Sequence, residues 1–210
     1  MKRNIIQSLT LRLLYGVICR SVLRFFFHVK FYQRKQLRDK KQFIIIANHT
    51  SHMDTICLLS SMPENKIVKV KPVAAQDFFG KNKFRARLSN FFVNTLLISR
   101  KMSRDIKNES VDRILKSLDE GYSLIFYPEG TRGTSDKLQE LKKGIARILI
   151  ARPHICYIPA HLTGMRQLFS LKNIFIPSKA SVTFGNPMTI HTSDRNDIMS
   201  EIEKSLLMIE

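Results

Sequence analysis

Short apolar runs alternate with amphipathic helical segments along most of this 210-residue chain. Runs rich in β-branched and aromatic residues are candidate strands, at residues 43–47, 68–75, 95–99, 123–127, 155–162 and 180–184. Candidate helices lie between and after them, at residues 51–62, 81–93, 108–118, 137–151 and 192–207. Strands that alternate with helices are typical of α/β proteins. We therefore predict an α/β fold, a single-domain αβα sandwich around a mixed, mostly parallel sheet, with a site at the strand ends.

The chain carries a large positive charge. Thirty-five Lys and Arg residues against seventeen Asp and Glu residues give a formal net charge of +18. The excess lies in residues 1–42 and 66–107, each with eleven basic side chains and at most two acidic ones. The positive electrostatic potential of such a chain indicates an anionic partner, which could be nucleic acid, an anionic membrane surface, or an acidic protein or substrate. Hydrophobic residues at 44% and charged residues at 25% exclude a disordered or collagen-like chain.

Residues 5–33 form an apolar stretch that basic side chains interrupt. A membrane-spanning helix needs about 20 mostly apolar residues, and Arg12, Arg20 and Arg24 divide this stretch. On an α-helix they share one side with Lys30, opposite a set of apolar side chains, namely Leu11, Leu14, Tyr15, Ile18, Val22, Phe25 and Phe26. This pattern is typical of a helix that lies in a membrane interface with its arginines towards anionic headgroups. A helix packed on its own domain is the alternative.

We therefore expect an N-terminal amphipathic, membrane-associating segment over residues 1–30, followed by the α/β domain over residues 31–210. The expected location is membrane-associated, peripheral or monotopic, on the cytoplasmic face, because the run is too interrupted to span a bilayer and carries no signal-peptide pattern.

A polar cluster follows the candidate strand at residues 43–47, beginning with Asn48 and His49. If the next helix begins near Ser51, Asp54 lies one turn along and can reach back to His49. A carboxylate there would accept one imidazole N–H and leave the other ring nitrogen free as a base. Two other interpretations stay open: a capped helix with a surface histidine, and a zinc site that adds His52, although this spacing matches no familiar ligand pattern.

Two further clusters follow other candidate strands. Arg100 comes directly after residues 95–99, where a guanidinium can hold a phosphate through two hydrogen bonds. Residues 127–135 contain two glycines, several hydroxyls and Arg132, a composition that suits an oxyanion or phosphate nest. The sequence contains neither a Walker P-loop nor a GxSxG nucleophile elbow. A base without a nucleophilic side chain indicates direct attack by a hydroxyl group of the substrate.

Taken in order, the Asn48-His49-x4-Asp54 block, Arg100 and the PEGTR block at residues 128–132 resemble the glycerolipid acyltransferases, the PlsC-like lysophosphatidate acyltransferase superfamily. The resemblance covers roughly residues 30–190, so that residues 31–210 would be the acyltransferase domain. It implies that His49 is the general base and that Asp54 orients it. It implies substrate-binding positions at Asn48, Arg100, Glu129, Gly130, Thr131 and Arg132. No metal and no organic cofactor is implied.

The resemblance also implies the substrates. The donor would be acyl-CoA or acyl carrier protein, and the acceptor a lysophospholipid, with lysophosphatidate converted to phosphatidate. Asn94 and Leu97 depart from the family pattern, which usually has Gly and Phe at these positions, and residues 74–79 resemble a branch whose acceptors are poorly defined. Another lysolipid acceptor is therefore an alternative.

A basic nucleic-acid-binding module is the alternative from another class, because basic residues interleave with phenylalanines in residues 78–92. The chain lacks the common nucleic-acid-binding signatures, so we expect no nucleic acid partner. A scaffold that has kept the fold and lost activity is a further alternative, against which the intact His49 and Asp54 pair argues.

Overall fold

The computed structural model describes residues 5–76, 87, 90–99, 104–133, 138–168 and 179–209. The strands are β1 Lys30–Tyr32, β2 Ile44–Ala47, β3 Val70–Ala75, β4 Leu96–Ile98, β5 Ser123–Phe126, β6 Tyr157–Thr163 and β7 Ser181–Phe184. The α-helices are α1 Ile5–Leu11, α2 Gln36–Asp39, α3 Met53–Ser61, α4 Glu64–Ile67, α5 Arg104–Asp119, α6 Gly144–Ala151 and α7 Arg195–Leu207. The predicted helix at residues 81–93 lies largely outside the described residues.

All seven strands belong to one sheet, in the order β1-β7-β6-β2-β5-β3-β4. Every neighbouring pair is parallel except β6 and β7, which run antiparallel. In the central register, Ile45 of β2 lies beside Ile125 of β5 and Ile158 of β6. The predicted mixed, mostly parallel sheet is confirmed, and β2 and β5 are neighbours at its centre.

The core lies on both faces of this sheet. Because successive side chains of a strand point to opposite faces, Ile45 and Ala47 pack on the side of α3, whereas Ile44 and Ile46 pack on the side of α5, α6 and α7. All four residues of β2 are buried. The predicted αβα arrangement is therefore present, with β2 inaccessible to solvent on either face.

The N-terminal helix, as we name residues 5–26, is continuous but changes its winding. Helix α1 continues as two π-helical segments, Arg12–Cys19 and Val22–Phe26. A π-helix has more residues per turn than an α-helix, because its hydrogen bonds join residues i and i+5. The apolar and basic sides that were predicted for an α-helix, at about 100° per residue, are therefore rotated away from their predicted positions. Within the described residues, every helix is too short or too polar to cross a bilayer.

One face of the N-terminal helix packs on the domain. Leu11, Tyr15 and Leu23 are buried in the core cluster on the α3 side. For this face, the alternative prediction of a helix packed on its own domain is therefore correct. Arg20 binds the carbonyl oxygens of Ser60, at 2.8 Å from Nε, and Met62 at the end of α3. The prediction that Arg20 faces lipid headgroups is therefore wrong.

The opposite face of the N-terminal helix is exposed and apolar. Its large exposed side chains are Ile5, Ile6, Leu9, Leu13, Val17, Ile18, Val22, Phe25 and Phe26. Arg12 and Arg24 are exposed on the same helix. The residues predicted to form a single apolar side are thus divided between the core and the solvent.

Several element boundaries differ from the sequence predictions. Helix α5 begins at Arg104, four residues before the start that the sequence predicted. Helix α7 begins three residues after its predicted start and is capped by Asp194, whose side chain accepts hydrogen bonds from two backbone N–H groups. Strand β1 lies within the stretch predicted as helical, and β7 holds it in place by parallel pairing.

Candidate active site

The candidate site lies where β2 and β5 end. These strands are parallel neighbours, so their carboxyl ends meet at the same edge of the sheet, where ligands bind in open α/β sheets. Asn48 and His49 directly follow β2, and residues 127–133 directly follow β5. The fold therefore brings together two blocks that are about eighty residues apart in the sequence.

Asp54 contacts His49 as the sequence predicted. Nδ1 of His49 lies 2.9 Å from Oδ2 of Asp54. The same oxygen accepts hydrogen bonds from the backbone N–H groups of Thr50, at 2.7 Å, and Ser51, at 2.8 Å. Asp54 is completely buried in the first turn of α3, where the helix dipole favours a negative charge. The carboxylate is thus fixed by three donors.

The other ring nitrogen of His49 remains open. The side chain is 20% exposed, and no hydrogen bond from the described residues reaches Nε2. Since Asp54 accepts from Nδ1, the neutral ring carries its proton on Nδ1 and leaves Nε2 as an acceptor. This is the arrangement that a general base requires.

Tyr127 covers one face of the imidazole. The rings of His49 and Tyr127 are stacked, with centroids 4.1 Å apart and planes inclined by 18°. The Tyr127 hydroxyl lies 3.0 Å from Oγ1 of Thr55. Burial, and then the charge of Asp54, raises the pKa of Tyr127 well above its usual value, so the hydroxyl stays neutral. Tyr127 is the first residue of the cluster at residues 127–135, but neither Tyr127 nor Thr55 was among the predicted site residues; the available signal for Tyr127 was an aromatic residue at the start of a polar block that follows a buried strand.

The loop after β5 holds the backbone of His49 from both sides. Oε1 of Glu129 accepts a hydrogen bond from the His49 N–H at 2.7 Å, and the N–H of Gly133 donates to the His49 carbonyl at 2.8 Å. Glu129 is only 3% exposed. Burial raises the pKa of Glu129, whereas hydrogen bonds from the His49 and Gln139 backbones oppose this effect. The carboxylate points inward, and its predicted contact with substrate stays a prediction.

Asn48 has a comparable inward contact. Its side-chain amide donates to the carbonyl oxygen of Leu162 at 2.9 Å and accepts from the Leu162 N–H at 2.8 Å. Asn48 is buried, and these bonds join the end of β2 to β6. Its predicted role in substrate binding stays a prediction.

Thr131 and Arg132 lie on the exposed side of the same loop. Gly130 precedes them with φ +73°, in the left-handed region that favours glycine. The Arg132 guanidinium contacts Nε2 of His52. Burial, and then the charge of Arg132, lowers the pKa of His52, which favours a neutral ring that can accept this hydrogen bond.

Arg100 lies outside the described residues. The preceding strand β4 is parallel to β3, which is parallel to β5, so its carboxyl end lies at the same edge of the sheet. Asn94, just before β4, has φ +56°, and its side chain donates to the Val70 carbonyl at 2.9 Å. Glycine and asparagine adopt this conformation most readily, so asparagine in place of the usual glycine is compatible with the turn.

The two histidines of the possible zinc site, His49 and His52, both have other partners, which does not favour the zinc interpretation. Nδ1 of His49 is bound to Asp54, and a guanidinium occupies the place beside Nε2 of His52. Among the described residues, no three His, Cys, Asp or Glu side chains lie close enough together to hold a metal ion.

Comparison with known proteins identifies the family. Residues 28–163, which include every predicted site residue, match the family model described as Acyltransferase. The chain belongs to the acyltransferase family. This membership confirms the resemblance seen in the sequence motifs.

The chain is similar to curated proteins that are named as 1-acyl-sn-glycerol-3-phosphate acyltransferases. The putative 1-acyl-sn-glycerol-3-phosphate acyltransferase acl-2 of Caenorhabditis elegans is 28% identical over 145 residues, covering 68% of this chain and 48% of the relative. The human 1-acyl-sn-glycerol-3-phosphate acyltransferase beta is 24% identical over 157 residues, covering 74% of this chain and 54% of the relative. The chain spans about half the length of the curated relatives that it matches.

A solved structure supports the fold. The 1-acyl-sn-glycerophosphate acyltransferase PlsC of Thermotoga maritima superposes with a TM-score of 0.65 at 18% sequence identity. The superposition covers 87% of this chain and 72% of PlsC. The predicted α/β architecture of the family is therefore confirmed.

Proposed function

We propose that this domain transfers a fatty acyl group from an acyl thioester to the free hydroxyl of a lysophospholipid, with lysophosphatidate as acceptor and phosphatidate as product. The observation that carries the proposal is the contact between His49 and a buried, triply bonded Asp54 carboxylate, with Nε2 left open. The names of the relatives support this substrate class.

His49 would act as the general base. As the acceptor oxygen attacks the thioester carbonyl carbon, its proton passes to Nε2 of His49. The tetrahedral intermediate then collapses, the C–S bond breaks, and the imidazolium returns the proton to the departing thiolate. Asp54 stabilises the imidazolium through Nδ1–H. A base of this kind contributes about 10²–10⁴-fold to the rate.

The donor would be acyl-CoA or acyl carrier protein. Both are acidic, and residues 66–107 carry eleven basic and two acidic side chains. The acceptor phosphate would bind on the exposed side of the loop after β5, at Gly130, Thr131 and Arg132, together with Arg100. Charge complementarity of this kind increases the rate of encounter more than the final affinity.

The exposed face of the N-terminal helix would lie in an anionic membrane surface, on the cytoplasmic side and without spanning it. Leu13, Val17 and Phe25 are among the large apolar side chains exposed there, and the exposed Arg12 and Arg24 would meet lipid phosphates. A peripheral or monotopic attachment would give the site access to an acceptor whose acyl chain resides in the bilayer.

Purified protein tests the base directly. With acyl-CoA and lysophosphatidate as substrates, release of free thiol measures turnover. We expect His49→Ala to lower kcat by about 10²–10⁴-fold, because the hydroxyl loses its proton acceptor. His154→Ala is the matched control, since His154 is exposed just before β6, at the opposite edge of the sheet. Wild-type turnover in His49→Ala would contradict the proposal.

A further inference from the structure

The side chain of Lys142 lies across the glycine of the loop after β5. A Cβ atom placed on Gly130 would come within 2.8 Å of Nζ of Lys142 and within 3.0 Å of its Cδ. The backbone N–H of Lys142 donates to the carbonyl oxygen of Pro128 at 2.8 Å. The segment that carries Lys142 is therefore bound to this loop, and the absence of a side chain at Gly130 leaves room for the ammonium group.

The direction of Lys142 differs from that of the next residue. Nζ of Lys143 donates to Oδ1 of Asn196, at the start of α7, at 2.7 Å. Lys142 is exposed, and within the part of the chain that the structure describes no carboxylate forms an ion pair with it. Two adjacent lysines thus have different surroundings, and one of them lies on the candidate site.

The exposed side of this loop is consequently cationic. Glu129 is buried and directed towards the His49 backbone, so its carboxylate does not compete for the ammonium. Lys142 and Arg132 both lie on the exposed side. An ammonium is a compact charge with three donors, whereas a guanidinium offers a planar fork. Together they suit a phosphate monoester, which presents three oxygens and up to two negative charges.

We propose that Lys142 binds the phosphate of the acceptor and that it makes the site prefer a lysophospholipid with a terminal phosphate monoester over a neutral monoacylglycerol. This inference rests on the proposed function. Lys142 is a binding residue in this proposal and takes no part in the proton transfer.

The test compares two variants that lose the same charge at adjacent positions, Lys142→Gln and Lys143→Gln. The readouts are KM for lysophosphatidate, kcat, KM for acyl-CoA, and inhibition by glycerol 3-phosphate as a probe of the headgroup alone. For Lys142→Gln we expect about a tenfold increase in KM for lysophosphatidate and in the inhibition constant, since hydrogen bonds between charged groups are the strong ones. We expect kcat and KM for acyl-CoA to change by less than about twofold, and Lys142→Arg to retain most of the affinity.

The possible outcomes are distinct. Equal increases in Lys142→Gln and Lys143→Gln would indicate a general charge effect and overturn the inference, as would an unchanged KM in Lys142→Gln. Failure of the wild-type enzyme to acylate lysophosphatidate would instead contradict the proposed function itself. Thermal unfolding of each variant confirms that the compared proteins are folded.

Discussion

Two regions of the molecule depart from the usual rules of burial in opposite ways. One is the edge of the sheet where β2 and β5 end, and the other is the N-terminal helix. At the sheet edge, Asp54, Glu129 and Asn48 are buried, and each side chain forms hydrogen bonds. On the helix, Leu13 and Phe25 are among several large apolar side chains that are exposed. Buried polar groups and grouped exposed apolar groups are the informative departures from ordinary packing. The contrast separates the part of the molecule that would perform the reaction from the part that would hold it at its substrate.

The largest effect is expected from two neighbouring leucines on the helix. Leu11 is 1% exposed and Leu13 is 56% exposed. We expect Leu11→Ala to lower the free energy of unfolding by about 2–5 kcal/mol, and Leu13→Ala to change it by less than about 0.5 kcal/mol. Chemical denaturation measures both values. Equal losses would mean that the two faces of the helix do not differ.

The same pair tests the membrane surface. Leu13→Ala should weaken binding to vesicles that contain anionic lipid by up to about tenfold, because apolar area no longer leaves water. Cosedimentation with vesicles of phosphatidylcholine and phosphatidylglycerol measures this binding. Unchanged binding of Leu13→Ala would remove the support for a lipid-facing surface.

A smaller effect is expected at Tyr127, which joins the two loops of the site. Loss of a stacked aromatic pair removes about 0.5–1.5 kcal/mol of interaction free energy, in addition to what the lost burial of apolar area removes. Tyr127→Leu should therefore lower kcat by about 3–10-fold, with KM for acyl-CoA unchanged, because the imidazole is less well held. Tyr127→Phe keeps the stack and should retain most of kcat. Tyr32→Leu, at an exposed tyrosine on strand β1, is the control. Equal activity of the Leu and Phe variants would contradict a role for the stacking.

The smallest effect concerns the pH dependence of stability at Glu129. Burial raises the pKa of Glu129 in the folded protein, so the folded state binds this proton more tightly than the unfolded state. The free energy of unfolding of the wild type should therefore fall, relative to Glu129→Gln, as pH rises from the ordinary glutamate pKa of 4.5 towards the raised pKa. Denaturation of both proteins at several pH values measures the difference. A difference that grows with pH would contradict this sign.

The sequence predicted the local features of the site but not its long-range contacts. The contact between His49 and Asp54 was predictable because the two residues are five positions apart and share one strand-to-helix turn. The contacts of His49 with Glu129 and Tyr127 join residues about eighty positions apart. They depend on β2 and β5 being neighbours, which periodicity alone does not specify.

The fold, too, was predictable where the sequence signal is local and strong, and not where the signal is short or absent. Apolar runs located the central strands, because burial on both faces gives a continuous hydrophobic signal. Strand β1 has only three residues and pairs at the edge of the sheet, so its pattern was too short to separate from the preceding helix. The change to π-helical winding also lacks a local signal, and it divided the predicted apolar side between the core and solvent.

The two hydrogen bonds from the loop after β5 act on the main chain of His49 and leave its ring untouched. Asp54 and Tyr127 hold the ring itself, so the fold places the imidazole before any substrate arrives. An acyl transfer at this edge would start from dipoles that are already oriented, so little of the activation barrier would be spent on rearranging the protein.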